Sequence, residues 1–358
     1  MKKRIRIGVA GLGRIGWDFH CQKLARHADF TLAAVADTDA GRRAEAERTF
    51  GCRAYAEFGE LLAAGDLDAV VIATPTHLHR AMAEAAFKAG LHVLLEKPMA
   101  ASVADARAIA RRAEATGCVL TVYQPHRLAA YYQHLLTLLR DGRIGPVFQV
   151  RRGVFAYVRR DDWQSQVRFG GGMLNNYGAH MLDQMMDLTG GTVNRLFCDL
   201  RRVATLGDAD DVVKIVYETD TGILVDLEIN MGAAFSPYLF EVYGRTGTIR
   251  LVNDAFTTRW FDPAKLADKV LDTGLASKDR KYPSDSIPWQ EETVPVDKTM
   301  EVDVFADFAK AIRTGRAPFV PPARTVLVME TLDRCRRASG EVQESRVKVK
   351  ASPKRARK

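Results

Sequence analysis

Over the first third of the chain, short and solidly apolar runs alternate with stretches whose apolar positions recur every three or four residues. "IRIGVAG" reads as a strand, "RIGWDFHCQKLARH" has helical spacing, and "FTLAAVAD" is a second strand. Strands "DAVVIAT", "HVLLEKP" and "CVLTVYQP" follow, each after a helical stretch. Runs apolar on both faces belong to a parallel sheet covered by helices on both sides. The pattern therefore predicts a doubly wound α/β domain over residues 1–125.

The rhythm then changes. "PVFQVRRGVFAYV", "VNRLFCDLRRV", "DVVKIVYETDTGILVDLEINM" and "YLFEVYGRTGTIRLV" are strand signals with few helices between them, and "ETDTG" and "GRTG" read as hairpin turns. They predict a second domain over residues 126–340, α+β in class, built on an open and mostly antiparallel β-sheet. The stretch 254–296 lacks sustained periodicity and reads as an excursion at the sheet edge. "EVDVFADFAKAIRTG" and "TVLVMETLDRCRRASG" read as closing helices, each stopped by glycine.

Composition narrows the class. At 358 residues and 47% hydrophobic content the chain reads as a soluble globular protein with room for two cores. No apolar stretch approaches membrane-spanning length, and the start lacks a cleavable leader pattern. Five scattered cysteines without a C-x-x-C fit reduced thiols, so a cytoplasmic location is expected. Seven of the eight net positive charges are matched by the Lys and Arg of the last thirteen residues, "RVKVKASPKRARK". The body is thus nearly neutral, and residues 341–358 read as a disordered, solubilising basic tail rather than a nucleic-acid arm.

Gly11, Gly13 and Gly16, with Arg14 and Ile15 among them, form G-x-G-x-x-G directly after a strand and at the opening of a helix. The first glycine permits the tight turn, the second lets backbone approach a pyrophosphate, and the third allows close helix packing. The next strand ends in Asp37, placed to accept hydrogen bonds from ribose hydroxyls. Strand, glycines, helix and acid in this order point to a dinucleotide, and the negative charge of Asp37 favours NAD over NADP. Arg42 and Arg43 lie just beyond and soften that preference if they are not simply solvated. His77, His79 and His92 lack the accompanying ligands of a metal site.

A second glycine run opens "GGGMLNNYGAH", Gly170 to His180. It follows a charged loop rather than a buried strand, so it is not a second phosphate cradle. Leu174, Tyr177, Met181, Met185 and Leu188 form an apolar stripe, and Asn176, His180, Asp183 and Asp187 a polar one. That polar stripe is either a solvated face or a row pointing at a substrate, with the glycines bringing the helix start close to the nicotinamide edge.

Together, "GLGRIG", "ATPTHLH", "EKP" and "GGGMLNNYGAH" resemble the glucose-fructose oxidoreductase and inositol dehydrogenase family, Gfo/Idh/MocA, over nearly the whole chain. The resemblance implies that Thr74, Pro75 and His79 line the cofactor and that Glu96 lies near the nicotinamide ribose. It makes Lys97 the catalytic lysine, followed by a cis bond to Pro98, and brings Gln124 near the carboxamide. It implies substrate contacts from Arg127, Asn176, Tyr177 and His180, with His180 acting beside Lys97. It further implies a homo-oligomer, dimer or tetramer, and closing helices that return to the first domain.

One departure stands out. Many polyol dehydrogenases of the family carry aspartate where this chain has Asn176. An amide cannot stabilise a charged imidazole, so His180 is expected to titrate near its ordinary value of about 6.5. The expected function is an NAD-dependent oxidoreductase acting on a hydroxyl or ketone of a sugar, sugar acid or cyclitol, with Lys97 and His180 as proton relay. Arg127, Arg159, Arg160 and Arg168 are available to a carboxylate or phosphate on such a substrate. Two other functions use the same fold: an enzyme whose tightly held NAD supports elimination or hydrolysis, and a non-catalytic dinucleotide sensor.

Overall fold

The computed structural model describes residues 3–271, 273, 274, 278, 284–340 and 342–344. Most of the expected basic tail lies outside these residues.

Six strands form the first sheet: β1 (Ile5–Ala10), β2 (Phe30–Ala36), β3 (Arg53–Tyr55), β4 (Ala69–Ile72), β5 (His92–Leu95) and β6 (Leu120–Val122). Their order is β3-β2-β1-β4-β5-β6, all parallel. Val9, Val70, Val71, Val93 and Leu94 are fully buried, as expected for strands covered on both faces. The order reverses direction between β1 and β4, and ligands of such sheets bind outside the carboxyl ends of the strands at that point. The glycine loop after β1 and the segment after β4 flank this crevice.

The second sheet has nine strands: β7 (Val147–Phe155), β8 (Val193–Arg202), β9 (Val212–Thr219), β10 (Leu224–Asn230), β11 (Phe240–Gly244), β12 (Gly247–Val252), β13 (Ala255–Trp260), β14 (Gln290–Pro295) and β15 (Gln343–Glu344). The order is β14-β13-β12-β11-β7-β10-β9-β8-β15. Pairing is antiparallel except for β7 with β10 and β8 with β15. The parallel β7–β10 pair at the centre is made possible by the long crossover through residues 156–223. Alternate residues of β9 and β10 are buried, so one face of this sheet packs and the other is open.

The first closing helix packs on the first sheet. Asp303 caps this helix, Val304–Thr314, by accepting from the Phe305 and Ala306 amides, and Phe308 stacks on Phe30 while Phe305 meets it edge-on. The longer helix Pro322–Ser339 lies between β8 and the helix Val103–Thr116, where Arg107 pairs with Glu330 at 2.8 Å. Among the described residues no helix is long and apolar enough to cross a membrane.

Candidate functional site

The glycine loop is built as a close-approach turn. Gly11 has φ +92°, and a Cβ there would meet the Ala73 carbonyl oxygen at 2.6 Å. A Cβ at Gly16 would fall onto the Gly11 carbonyl oxygen, whereas one at Gly13 would meet nothing within 4 Å. Two glycines thus serve the turn, and Gly13 faces open space beside exposed Arg14 and Ile15. The chain enters its helix through a π-helical stretch, Ile15–Cys21.

Asp37 sits at the end of β2 and accepts from the Leu12 amide at 2.7 Å through one carboxylate oxygen and from the Asp39 amide at 2.9 Å through the other. Each oxygen keeps a lone pair for a ribose hydroxyl. Arg42 lies 3.7 Å from this carboxylate, while Arg43 is held on the Asp37 and Thr38 carbonyls. An open Gly13 and an anchored carboxylate at the adjacent strand end fit a dinucleotide.

His79 occupies a different place from the expected one. It is buried, and its ring nitrogens face the Thr74 carbonyl at 2.9 Å and the Pro98 carbonyl at 3.1 Å. It ties the loop after β4 to the loop after β5 from behind, leaving Thr74 and exposed Pro75 at the crevice. Glu96 accepts from the ring of fully buried His20 at 2.7 Å, a partner that no spacing in the sequence reveals. The Lys97–Pro98 peptide bond is cis.

Lys97 reaches across to the helix of the second half, donating to the Asn176 side-chain oxygen at 2.8 Å. Burial holds this ammonium below its ordinary value, Glu96 opposes the shift, and Arg160 and Arg14 add to it. The helix begins with a π-helical turn, Leu174–Gly178, and continues as Ala179–Thr189. Every residue from Ala179 to Met186 is buried, so the polar stripe is not a solvated face. Each polar member instead meets a partner from another element.

His180 points Nδ1 at the Gln124 side-chain oxygen, 2.7 Å away. A carbonyl oxygen only accepts, so Nδ1 carries the proton and Nε2 has the lone pair. Nε2 has no partner among the described residues and is not sealed from solvent. The expected titration near 6.5 is corrected: burial, then the charges of Lys97, His126 and Arg152, hold His180 well below that value.

Arg127 is also corrected. Its guanidinium is buried against Asp183 at 3.3 Å and against Asp187, and it stacks on Phe319. It neutralises the carboxylates of the helix rather than facing the cleft. Burial still pushes Asp183 up to about 6. Of the other arginines, Arg159 and Arg168 are exposed, and Arg160 lines a small cavity with Asn176, Met173 and Met231.

The glycine run serves the chain's own packing. A Cβ on Gly171 would strike the Gln164 carbonyl, and one on Gly172, at φ +102°, would strike the Asp210 carboxylate. Asp210 accepts from the Leu174 amide at 2.8 Å and so fixes the helix start. Gly171 and Gly172 therefore approach the chain's own segments at Gln164 and Asp210, whereas a Cβ on Gly170 would meet nothing within 4 Å.

One neighbour is absent from every sequence motif. The His126 ring lies 4.6 Å from that of His180, centroid to centroid, and 5.7 Å from Tyr177. Only its position two residues after Gln124 could have flagged it. Among the described residues no three His, Cys, Asp or Glu side chains gather as metal ligands.

Residues 5–124 match the model of an oxidoreductase family with an NAD-binding Rossmann fold, and residues 132–250 match the GFO/IDH/MocA C-terminal domain. The chain is 30% identical to inositol 2-dehydrogenase of Leifsonia xyli subsp. xyli over 269 residues, 72% of this chain and 76% of that protein. UDP-N-acetylglucosamine 3-dehydrogenase of Acidithiobacillus ferrooxidans superposes with a TM-score of 0.74 at 25% identity, covering 94% of this chain and 98% of that one. An NAD-binding protein of Listeria innocua superposes with a TM-score of 0.80 at 22% identity, covering 94% and 98%. With both halves matched and in order, the chain belongs to the Gfo/Idh/MocA family of NAD-binding oxidoreductases.

Proposed function

We propose that the chain is an NAD-dependent dehydrogenase acting on a hydroxyl, or in reverse a ketone, of a sugar, sugar acid or cyclitol. Relatives named inositol 2-dehydrogenase and D-apiose dehydrogenase support that substrate class. In this reading residues 1–125 hold the dinucleotide through Gly11, Gly13, Arg14, Ile15, Gly16, Asp37, Thr74, Pro75 and Gln124, and residues 126–340 supply the substrate side. When bound, the nicotinamide supplies the hydride acceptor for oxidation and the donor for reduction.

The observation that carries the reading is the pair formed by the Lys97 ammonium and the free Nε2 of His180, each held by an amide, Asn176 or Gln124. Lys97 hydrogen-bonds the substrate oxygen, lowering its pKa and holding the developing alkoxide. His180 Nε2 takes the hydroxyl proton. Its depressed pKa keeps it neutral and ready at neutral pH, while the nearby cations favour onward release of that proton. Asn176 orients Lys97 and Gln124 fixes the His180 tautomer, as a carboxylate would but without charge.

The test is NADH formation across a panel of polyols, sugars and sugar acids, followed by Lys97→Met on the best substrate. The variant is expected to lose about 10²–10⁴-fold in kcat/KM with NAD affinity retained. Intact activity in Lys97→Met would overturn the mechanism. The open sheet face, with Phe148 and Phe197 exposed, supports a homo-oligomeric assembly.

A further inference from the structure

His126 has no place in the relay just described, yet the hydrogen bonds around it leave its proton only one position. Arg152, on β7, is fully buried, with no carboxylate against it among the described residues. A guanidinium only donates. Arg152 donates to the Gln184 side-chain oxygen at 3.3 Å, which fixes the orientation of that amide. The Gln184 Nε2 then donates to the His126 carbonyl at 2.6 Å and to the Tyr131 hydroxyl at 3.1 Å.

The Tyr131 oxygen therefore accepts from Gln184, and its single proton is free for His126 Nδ1, 2.8 Å away. A neutral imidazole whose Nδ1 accepts must carry its proton on Nε2. That Nε2 has no partner among the described residues and is not sealed from solvent.

His180 is locked the opposite way by Gln124, with Nδ1 protonated and Nε2 accepting. Two imidazoles 4.6 Å apart thus present a donor and an acceptor. Deprotonating one hydroxyl requires only the acceptor.

We propose that His126 is a substrate-binding residue whose Nε2–H donates to a second substrate oxygen, so that the site selects alcohols bearing an oxygen acceptor near the reacting hydroxyl. The proposal rests on reading the site as an alcohol dehydrogenase. Selection follows because an alcohol lacking that oxygen leaves a desolvated N–H unpaired. The groups facing His126 keep it a donor: burial, then Arg152 from β7 and Lys97 from the loop after β5, hold its pKa at about 4. Tyr131, Tyr177 and His180 complete its surroundings.

Two measurements test this on the full chain. Ring-nitrogen NMR without substrate is expected to show His126 neutral with the proton on Nε2, and His180 neutral with the proton on Nδ1. Tyr131→Phe is expected to mix the His126 tautomers and leave those of His180. A protonated Nδ1 on His126, or a charged ring at pH 6, would overturn the relay.

On the alcohol turned over fastest in the panel, His126→Phe is expected to raise KM about 10–100-fold with the acid limb of the pH profile unmoved. His126→Gln, which puts an amide N–H near the Nε2 position, is expected to recover most of that loss. The deoxy analogue lacking the neighbouring oxygen is expected to lose as much with wild type and nothing further with His126→Phe. An unchanged KM in His126→Phe overturns the proposal, whereas wild type turning over no alcohol at all overturns the dehydrogenase reading itself.

Discussion

Replacing Asn176 by aspartate puts a formal charge where the chain has an amide, and its effect on both proton carriers can be worked out. The Lys97 ammonium lies 2.8 Å from the Asn176 side-chain oxygen. A carboxylate oxygen at that distance attracts it by roughly 6 kcal/mol at an effective dielectric constant of about 20. Desolvating the new carboxylate offsets several kcal/mol of this, leaving Lys97 raised by about 1–3 pKa units. His180 is four positions on, about 6 Å between Cβ atoms, where the same estimate gives roughly 2 units upward. The Lys97 charge acts on His180 with either residue at position 176, so it does not reduce this shift of about two units.

In the proposed mechanism the reactive form for oxidation has His180 neutral and Lys97 charged. Activity therefore rises with pH through the His180 pKa and falls through that of Lys97. In the natural chain burial holds both values down, so the acid limb lies well below pH 6.5. In Asn176→Asp both limbs move to higher pH, the acid limb by about two units and the alkaline limb by about 1–3. The assay is kcat/KM for NADH formation from pH 5 to 10. Limbs that stay in place would refute the coupling between position 176 and the two carriers.

Two further substitutions separate cofactor, substrate and structural roles. Gly13→Ala adds a Cβ with no neighbour within 4 Å, so the melting temperature of the NAD-free chain is expected to hold while the Kd for NAD rises about 10–100-fold by calorimetry. An unchanged Kd would deny the loop its pyrophosphate. Arg127→Met leaves the buried carboxylates of Asp183 and Asp187 without their cation, an expected loss of about 3–5 kcal/mol, read as a lower melting temperature with KM little changed. A raised KM at constant melting temperature would return Arg127 to the substrate.

The features legible in the sequence are those carried by local spacing. The glycine fingerprint, Asp37 and the alternation of buried runs specify the first sheet because each depends on residues close along the chain. Strand β3 escapes because three residues show no period. Strand β14 escapes for a different reason: its side chains are nearly all exposed, so no buried face imprints an alternation on it, and β13, in the same stretch 254–296, buries only Phe256 and Thr258. The roles of His79 and Arg127 were illegible because a side chain's partner across the fold decides whether it faces a cleft or the interior. The titration of His180 was misjudged on the same ground, since the position of its amide neighbour says nothing about burial or about Arg152.

The helix beginning at Leu174 explains why these gaps share one location. Its apolar stripe reads correctly, yet the opposite side is equally buried, with Asp183 and Gln184 fully enclosed. A helix buried all round must find a partner for each polar group, because an unpaired one costs about 1–3 kcal/mol. Those partners arrive from separate elements: Lys97 after β5, Gln124 and Arg127 after β6, and Arg152 from β7. Two of these contacts, Lys97 with Asn176 and Gln124 with His180, join the first half to the second, and the latter also sets the His180 tautomer. The Tyr132 hydroxyl lies 2.7 Å from the Gln184 carbonyl and 3.0 Å from an Asp187 carboxylate oxygen, and Gln184 in turn donates to the His126 carbonyl and to Tyr131, so a change at Gln184 is expected to alter proton placement at His126.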